Sequence, residues 1–218
     1  MTQAKGSSYF ESIGAKVVCA VYGPRESQRR IEFSTKGKLV CEVTFAPFSQ
    51  KIRQQSTHGV KAKNISSLIE TSLSCAVCLE SFPKSQMDIY INVLQDSGDV
   101  LSASIVAASI ALADAGIEMY DLVSACSVSF DKYNFALDPS IEELNPNTSA
   151  GSLTIGYLPS LNIISCLTQS GKIDADANSV GIKTCLEGCI RIHKVMQDCL
   201  VAGVERKKQQ LVLDHKYS

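Results

Sequence analysis

Cys75-Ala76-Val77-Cys78 has the spacing of a redox or metal-binding pair. A redox role needs a helix start that lowers a thiol pKa, and zinc needs two further ligands. Cys185 and Cys189 form a second pair at i,i+4 helical spacing, so four cysteines on two helices could meet around zinc. Burial is the competing reading. Cys19, Cys41, Cys126, Cys166 and Cys199 sit mostly in apolar runs, and an unpaired thiol packs as a small hydrophobe. The cysteine count of nine is odd, and Met1 to Ser12 is polar with no apolar signal segment. The thiols are therefore expected to fill core and groove positions of a cytosolic or nuclear protein, with no metal and no cofactor. His58, His193 and His215 are scattered. His193 falls on the apolar face of the last predicted helix and reads as a hydrogen-bonded core or interface residue.

Charge offers a second kind of chemistry. The chain has 218 residues and a net charge of −1, so it is not a basic nucleic-acid binder as a whole. Any RNA contact must come from a local patch or from partner chains. Lys51, Arg53, Lys61 and Lys63 lie in a stretch from Pro47 to Lys63 that reads as a loop, and Arg25, Arg29 and Arg30 form a second cluster beside Glu26. Each cluster has two readings, a solvated loop or a contact to phosphates, which needs only positive charge. Neither reads as having interleaved aromatics, so base stacking is not expected. The longest apolar stretch, near Ile105 to Ala113, is too short to span a bilayer.

The elements that must position these groups follow from periodicity. Ser8–Ile13 and Ala15–Tyr22 predict two strands joined at Gly14, with Gly23-Pro24 ending the second. Leu39, Cys41, Val43 and Phe45 alternate on one strand face. Asn64 or Ser66 is expected to cap a helix whose Ile65, Leu68, Ile69, Leu73, Ala76 and Val77 share a face. Met87–Leu94 predicts a strand. Leu101–Ala115, rich in Ala, Ser and Ile, predicts a helix small enough to pack closely on a sheet and ended by Gly116. Strands follow over Leu122–Phe130, Asn134–Leu137, Leu153–Leu158 and Ile163–Gln169, with a polar loop from Asp138 to Gly151. A last long helix starts at Asp174 or Asn178, and Arg206–Ser218 reads as a frayed charged tail. The class is α+β with mixed sheets and packed helices, organised as one domain over residues 1–205 and a tail over 206–218.

Four blocks in order carry a resemblance. They are Gly6-Ser7-Ser8 through Gly23-Pro24-Arg25, Asp88 through Asp96, Ala107 through Leu122, and Leu158-Pro159-Ser160-Leu161-Asn162. They resemble the RNase PH family, and they span nearly the whole chain. Within it, the opening Gln3–Ser7, the run Glu118–Leu122 and Leu186-Glu187-Gly188-Cys189 look most like the mRNA-transport-regulator branch of the eukaryotic exosome ring subunits. The fold implied is the RNase PH domain, ribosomal protein S5 domain 2-like, of ββαβα type. Family members carry further residues before the first block, which implies a shortened N-terminal strand region.

Active members of the family split RNA with phosphate as the attacking group, using arginines to hold the dianion and a carboxylate to assist. The resemblance places the phosphate arginine after the turn Ser97-Gly98-Asp99-Val100, where this chain has Leu101. A second basic position aligns with Glu70, and the catalytic Asp with Ser152. Asp131, Asp138, Glu142 and Glu143 lie near enough to offer a substitute carboxylate. Losing all three groups together removes the oriented charge that catalysis requires. The resemblance therefore implies a non-catalytic ring subunit that pairs with other RNase PH-like chains in a six-member ring under S1/KH cap subunits. The basic loop, with Lys51, Arg53, Lys61 and Lys63, would face a channel and touch RNA, with Arg25 as a further candidate. Nucleus, nucleolus and cytoplasm are the implied compartments, with no membrane. The alternative is an active phosphate-dependent 3′→5′ exoribonuclease.

Overall fold

The structure, a computed structural model, describes residues 3–26, 35–53, 59–131, 135–140 and 149–217. The chain opens with β1 (Gly6–Glu11) and β2 (Ala15–Glu26), antiparallel across a turn in which the Ala15 amide donates to Ser12 Oγ. β3 (Lys38–Phe45) crosses through α1 (Val60–Ser74) to the parallel neighbour β4 (Ser85–Asp96). The first sheet thus has the order β1-β2-β4-β3. Its inward face alternates as strand geometry demands: Val17, Cys19 and Val21 on β2, Ile89, Ile91 and Val93 on β4.

α2 (Val100–Asp114) follows β4 and is buried on nearly every side. The cause is its position, because it touches β1, β2 and β4 of the first sheet and also two strands of the second. A helix enclosed in this way cannot carry a polar face. Small residues let the sheets come close, and hydroxyls at the contacts bond to neighbouring backbone. Ser8 Oγ donates to the Ala107 carbonyl at 2.6 Å, and the Val123 amide donates to Ser109 Oγ at 2.9 Å. Ile105 and Leu112 are fully buried there, each contributing about 1.5–3 kcal/mol. Gly116 ends the helix at a φ of 69°, a left-handed position that glycine adopts without strain.

The second sheet is antiparallel, with β5 (Ser124–Asp131), β6 (Phe135–Leu137), β7 (Ser149–Leu158) and β8 (Ile163–Gly171) in the order β6-β5-β7-β8. α3 (Ala175–Tyr217) lies on its outer face. Cys126, Val128 and Phe130 join Leu153, Ile155 and Tyr157 in a core against Cys185 and Cys189 of α3. The intervening residues of the same strands, including Ser127, Ser129, Ser152 and Thr154, line the opposite side. The α+β class and the mixed first sheet agree with the sequence.

Several boundaries differ from expectation. β2 continues through Gly23-Pro24 to Glu26, because a register shift between Tyr22 and Arg25 absorbs the proline. α1 starts at Val60 behind Gly59, which makes no side-chain cap, and neither Asn64 nor Ser66 is its cap. Ser66 sits inside the helix, where its hydroxyl donates to the Ala62 carbonyl and accepts the Val43 amide of β3. Cys75 is the C-cap of α1 and Cys78 lies beyond it, so the C-x-x-C pair is not within the helix. The segment expected as a frayed tail is helical through Tyr217. No helix among the described residues is long and apolar enough to cross a membrane.

Candidate anion site and candidate RNA surface

The turn before α2 is held by the turn between β1 and β2. The Ser97 amide donates to the Gly14 carbonyl at 2.7 Å, and a Cβ on Gly14 would lie 2.8 Å from the Gly98 Cα. Two glycines facing each other allow that backbone approach. Asp99 then caps α2. Its carboxylate accepts from the Leu101 amide at 3.1 Å and the Ser102 amide at 3.4 Å, and Oδ2 also accepts from Thr154 Oγ1 at 3.1 Å. A helix N-terminus offers unpaired N–H groups and partial positive charge to an anion. Here the chain's own carboxylate takes that place.

Beside Asp99 is a cavity of about 180 Å³ lined by Gly98, Ser127, Ser129, Ser152 and Thr154, with Val128 and Pro139 completing it. Among the described residues, no Lys, Arg or His contributes to this lining. Asp138 accepts from Ser127 Oγ at 3.1 Å. Although Asp138 is exposed as a residue, desolvation of its carboxyl raises the pKa, and the neighbouring Asp99 charge adds to the rise. Among the described residues, two carboxyls and no cation stand at these hydroxyls, an arrangement poorly suited to a phosphate dianion.

Three positions singled out from the sequence are placed as follows. Ser152 is exposed at the rim of this cavity, two residues along β7 from Thr154. Leu101 gives its amide to Asp99, but its side chain is 7% exposed and packs in the main core. Glu70 is not brought to the cavity. It lies on α1 and accepts the Cys41 amide at 2.7 Å along the free edge of β3, beside a separate hollow shared with Lys63 and Ser66. Ser66 takes the Val43 amide in the same row, so Glu70 and Ser66 together cover two edge donors of β3. Among the substitute carboxylates, Asp138 approaches the cavity, while the Asp131 side chain, Glu142 and Glu143 lie outside what is described.

The basic candidates separate in the same way. Lys51 and Arg53 are exposed after the β3 strand. Lys61 and Lys63, expected in a loop, stand on the first turns of α1. Lys61 Nζ is 2.8 Å from Asp96 Oδ2, which also accepts from Gln50 Nε2, and it lies 5.0 Å from the centre of the Phe45 ring. Arg25 is paired with the buried Asp88. Arg29, Arg30 and His58 lie outside the described residues. The sequence reading passed over Phe48, which stands between Pro47 and the cations and is 68% exposed. Its place three residues before Lys51 was the signal available.

His193 is buried, with Nε2 at 2.9 Å from Gln197 Nε2 and 4.0 Å from Asp121 Oδ1, in keeping with a hydrogen-bonded core residue. The thiols are dispersed. Cys126, Cys185 and Cys189 are buried in the α3 core, and burial pushes the Cys189 and Cys19 thiols up to about 12. A hydrogen bond with Cys185 and burial raise the Cys126 thiol further. Among the described residues no group of three or more His, Cys, Asp or Glu is arranged to hold a metal ion.

Two sheets thus enclose α2, with a pocket at the N-terminus of that helix. Residues 1–118, more than half of the chain, match the family model described as 3′ exoribonuclease family, domain 1 (RNase PH), and the chain belongs to that family. It is 33% identical over 223 residues to Exosome complex component MTR3 of Homo sapiens, covering 95% of this chain and 81% of that protein. It is 36% identical over 200 residues to Exosome complex component RRP41-like of Arabidopsis thaliana, covering 92% and 76%. A solved structure, the Archaeoglobus fulgidus exosome with RNA bound to the active site, superposes with a TM-score of 0.76 at 19% identity, over 89% of this chain and 84% of that one. At that identity the superposition shows the fold. The branch of the family suggested by the opening residues agrees with the relatives of the MTR3 type.

Proposed function

We propose that this chain is a non-catalytic structural subunit of the RNA exosome core ring. It would support 3′→5′ RNA processing by completing the ring and helping to guide RNA through its channel. One observation carries the reading: the α2 amides that would meet an anion are capped by Asp99, while Leu101 is buried in the core. The assembly role is supported by β8. Among the described residues it is an edge strand whose one paired neighbour is β7, and it exposes Ile163, Ile164 and Leu167. An open edge with apolar side chains is a liability alone and an interface in a complex. Other RNase PH-like subunits are the proposed neighbours, S1/KH cap subunits and RNA the further partners, and nucleus, nucleolus and cytoplasm the compartments. The domain would take in residues 1–205, with the charged tail 206–218 following it, of which 206–217 continue α3.

The test is phosphorolysis. Rings reconstituted with catalytically silent neighbours and supplied with phosphate and single-stranded RNA are expected to release no nucleoside diphosphates. The alternative, an active phosphate-dependent 3′→5′ exoribonuclease, is favoured by the shared fold of a structure with RNA in its active site. Phosphate-dependent release that disappears when Asp138 is changed to Asn would establish that alternative and end the non-catalytic reading.

A further inference from the structure

We infer that Phe48 is a base-stacking contact for single-stranded RNA, presented on a pinned turn within an acid-free basic stretch. The inference rests on the RNA-guiding reading above and adds to it a chemistry that phosphate contacts do not supply. Between Glu42 and Glu70 the chain has no Asp or Glu, yet it carries Lys51, Arg53, Lys61 and Lys63. In a protein of net charge −1 this is a local concentration of positive charge, suited to a polyanion.

The same stretch exposes apolar surface. Ile52 is 78% exposed and Val60 76%, and with Phe48 they are three of the four most exposed large hydrophobics among the described residues. A single exposed hydrophobe needs no explanation, but three beside cations do. Phe48 is also held in place. Ala46, Pro47, Phe48 and Ser49 form a turn closed by the Ser49 amide on the Ala46 carbonyl at 2.9 Å. Both ends are tied to β4: the Ala46 amide donates to the Val93 carbonyl at 3.0 Å, and the Asp96 amide donates to the buried Ser49 carbonyl at 2.9 Å. A ring on so fixed a turn loses little further freedom when it meets a planar partner.

An aromatic ring among cations fits a single nucleic-acid strand, whose bases stack and whose phosphates pair with Lys and Arg. Lys61 is engaged with Asp96, and the exposed Lys51, Arg53 and Lys63 add positive charge along the same stretch. An acidic, apolar protein segment is the rival occupant.

The experiment uses the reconstituted ring and a labelled oligouridylate, with an abasic strand of equal length as the control. Phe48→Ala is expected to weaken binding roughly five- to a hundredfold on the base-bearing strand, with the salt dependence unchanged. It should have no effect on the abasic strand, and Phe48→Trp should bind at least as well as the parent. Ultraviolet irradiation should cross-link uracil to the peptide holding Phe48. Lys51→Ala with Arg53→Ala should weaken both strands and flatten the salt dependence. If Phe48→Ala leaves affinity and cross-linking unchanged while the cation variant weakens binding, stacking is refuted and RNA guidance stands. If neither variant changes binding, both fall. Loss of ring assembly in Phe48→Ala would assign the ring to a protein neighbour and overturn the inference.

Discussion

Replacing Asp99 by alanine tests the claim that a carboxylate of the chain occupies the anion position. The substitution removes the cap from α2, which costs about 0.5–2 kcal/mol. It also removes the acceptor of Thr154 Oγ1, a hydroxyl on a residue only 7% exposed, and a buried hydroxyl left without a partner costs about 1–3 kcal/mol. Together the loss is about 1.5–5 kcal/mol. In a domain of this size that lowers Tm by roughly 3–20 °C. Asp99→Asn keeps an acceptor oxygen of the same shape and should lose about 1 kcal/mol or less. Urea or thermal unfolding, with parent and variants in the same assembly state, gives the comparison. A second measurement addresses the anion. Phosphate should stabilise the parent no more than chloride of equal ionic strength, whereas a true site occupied at a hundred times its Kd would add about 2.7 kcal/mol. An Asp99→Ala loss below about 0.5 kcal/mol, which is under the ordinary cost of a lost cap, would refute the reasoning. So would phosphate-specific stabilisation of the parent.

Further outcomes follow from the same geometry. Thiol reagents should label the exposed Cys75 and Cys199 quickly in the native state, while Cys19 and Cys189, with thiols pushed up to about 12, react only on unfolding; mass spectrometry of brief labelling checks this. The raised carboxyl of Asp138 means that folding favours its proton, so its contribution is fully present at low pH and is lost as pH rises through the folded pKa. Asp138→Asn should therefore be more stable than the parent at neutral pH, with the advantage vanishing below about pH 4, as read from unfolding curves across that range. Lys61→Ala should change RNA affinity of the ring less than Lys51→Ala with Arg53→Ala, because Lys61 Nζ is engaged with Asp96; filter binding at fixed salt distinguishes them. The isolated chain should self-associate through β8, and Ile163→Lys should reduce that association in light scattering.

Much of the fold could be read from local pattern. Alternation over residues 39–45 and 87–94 marked two strands because a half-buried strand must alternate, and both are present as β3 and β4. Small residues from Leu101 to Ala113 marked a closely packed helix, though not that sheets would enclose it. Boundaries failed where tertiary contacts outweighed local preference. Ser66 reads as a cap from its type, yet it serves as a mid-helix bridge to Val43, because the β3 edge runs beside α1. Gly23-Pro24 reads as a terminator, yet pairing with β4 resumes beyond it.

The site divides along the same line. Sequence alone determined that position 101 carries a hydrocarbon, that position 152 carries a hydroxyl, and that no acid falls between Glu42 and Glu70. Those are facts of residue type, and they already limit which ions each position can bind. Only the tertiary structure decided that Asp99 meets Thr154 from 55 residues away, that Lys61 is held by Asp96, and that Glu70 lies at a strand edge apart from the other two positions. Periodicity tells which face a side chain takes, but sheet order and register set what stands opposite it, and charge acts only over those distances.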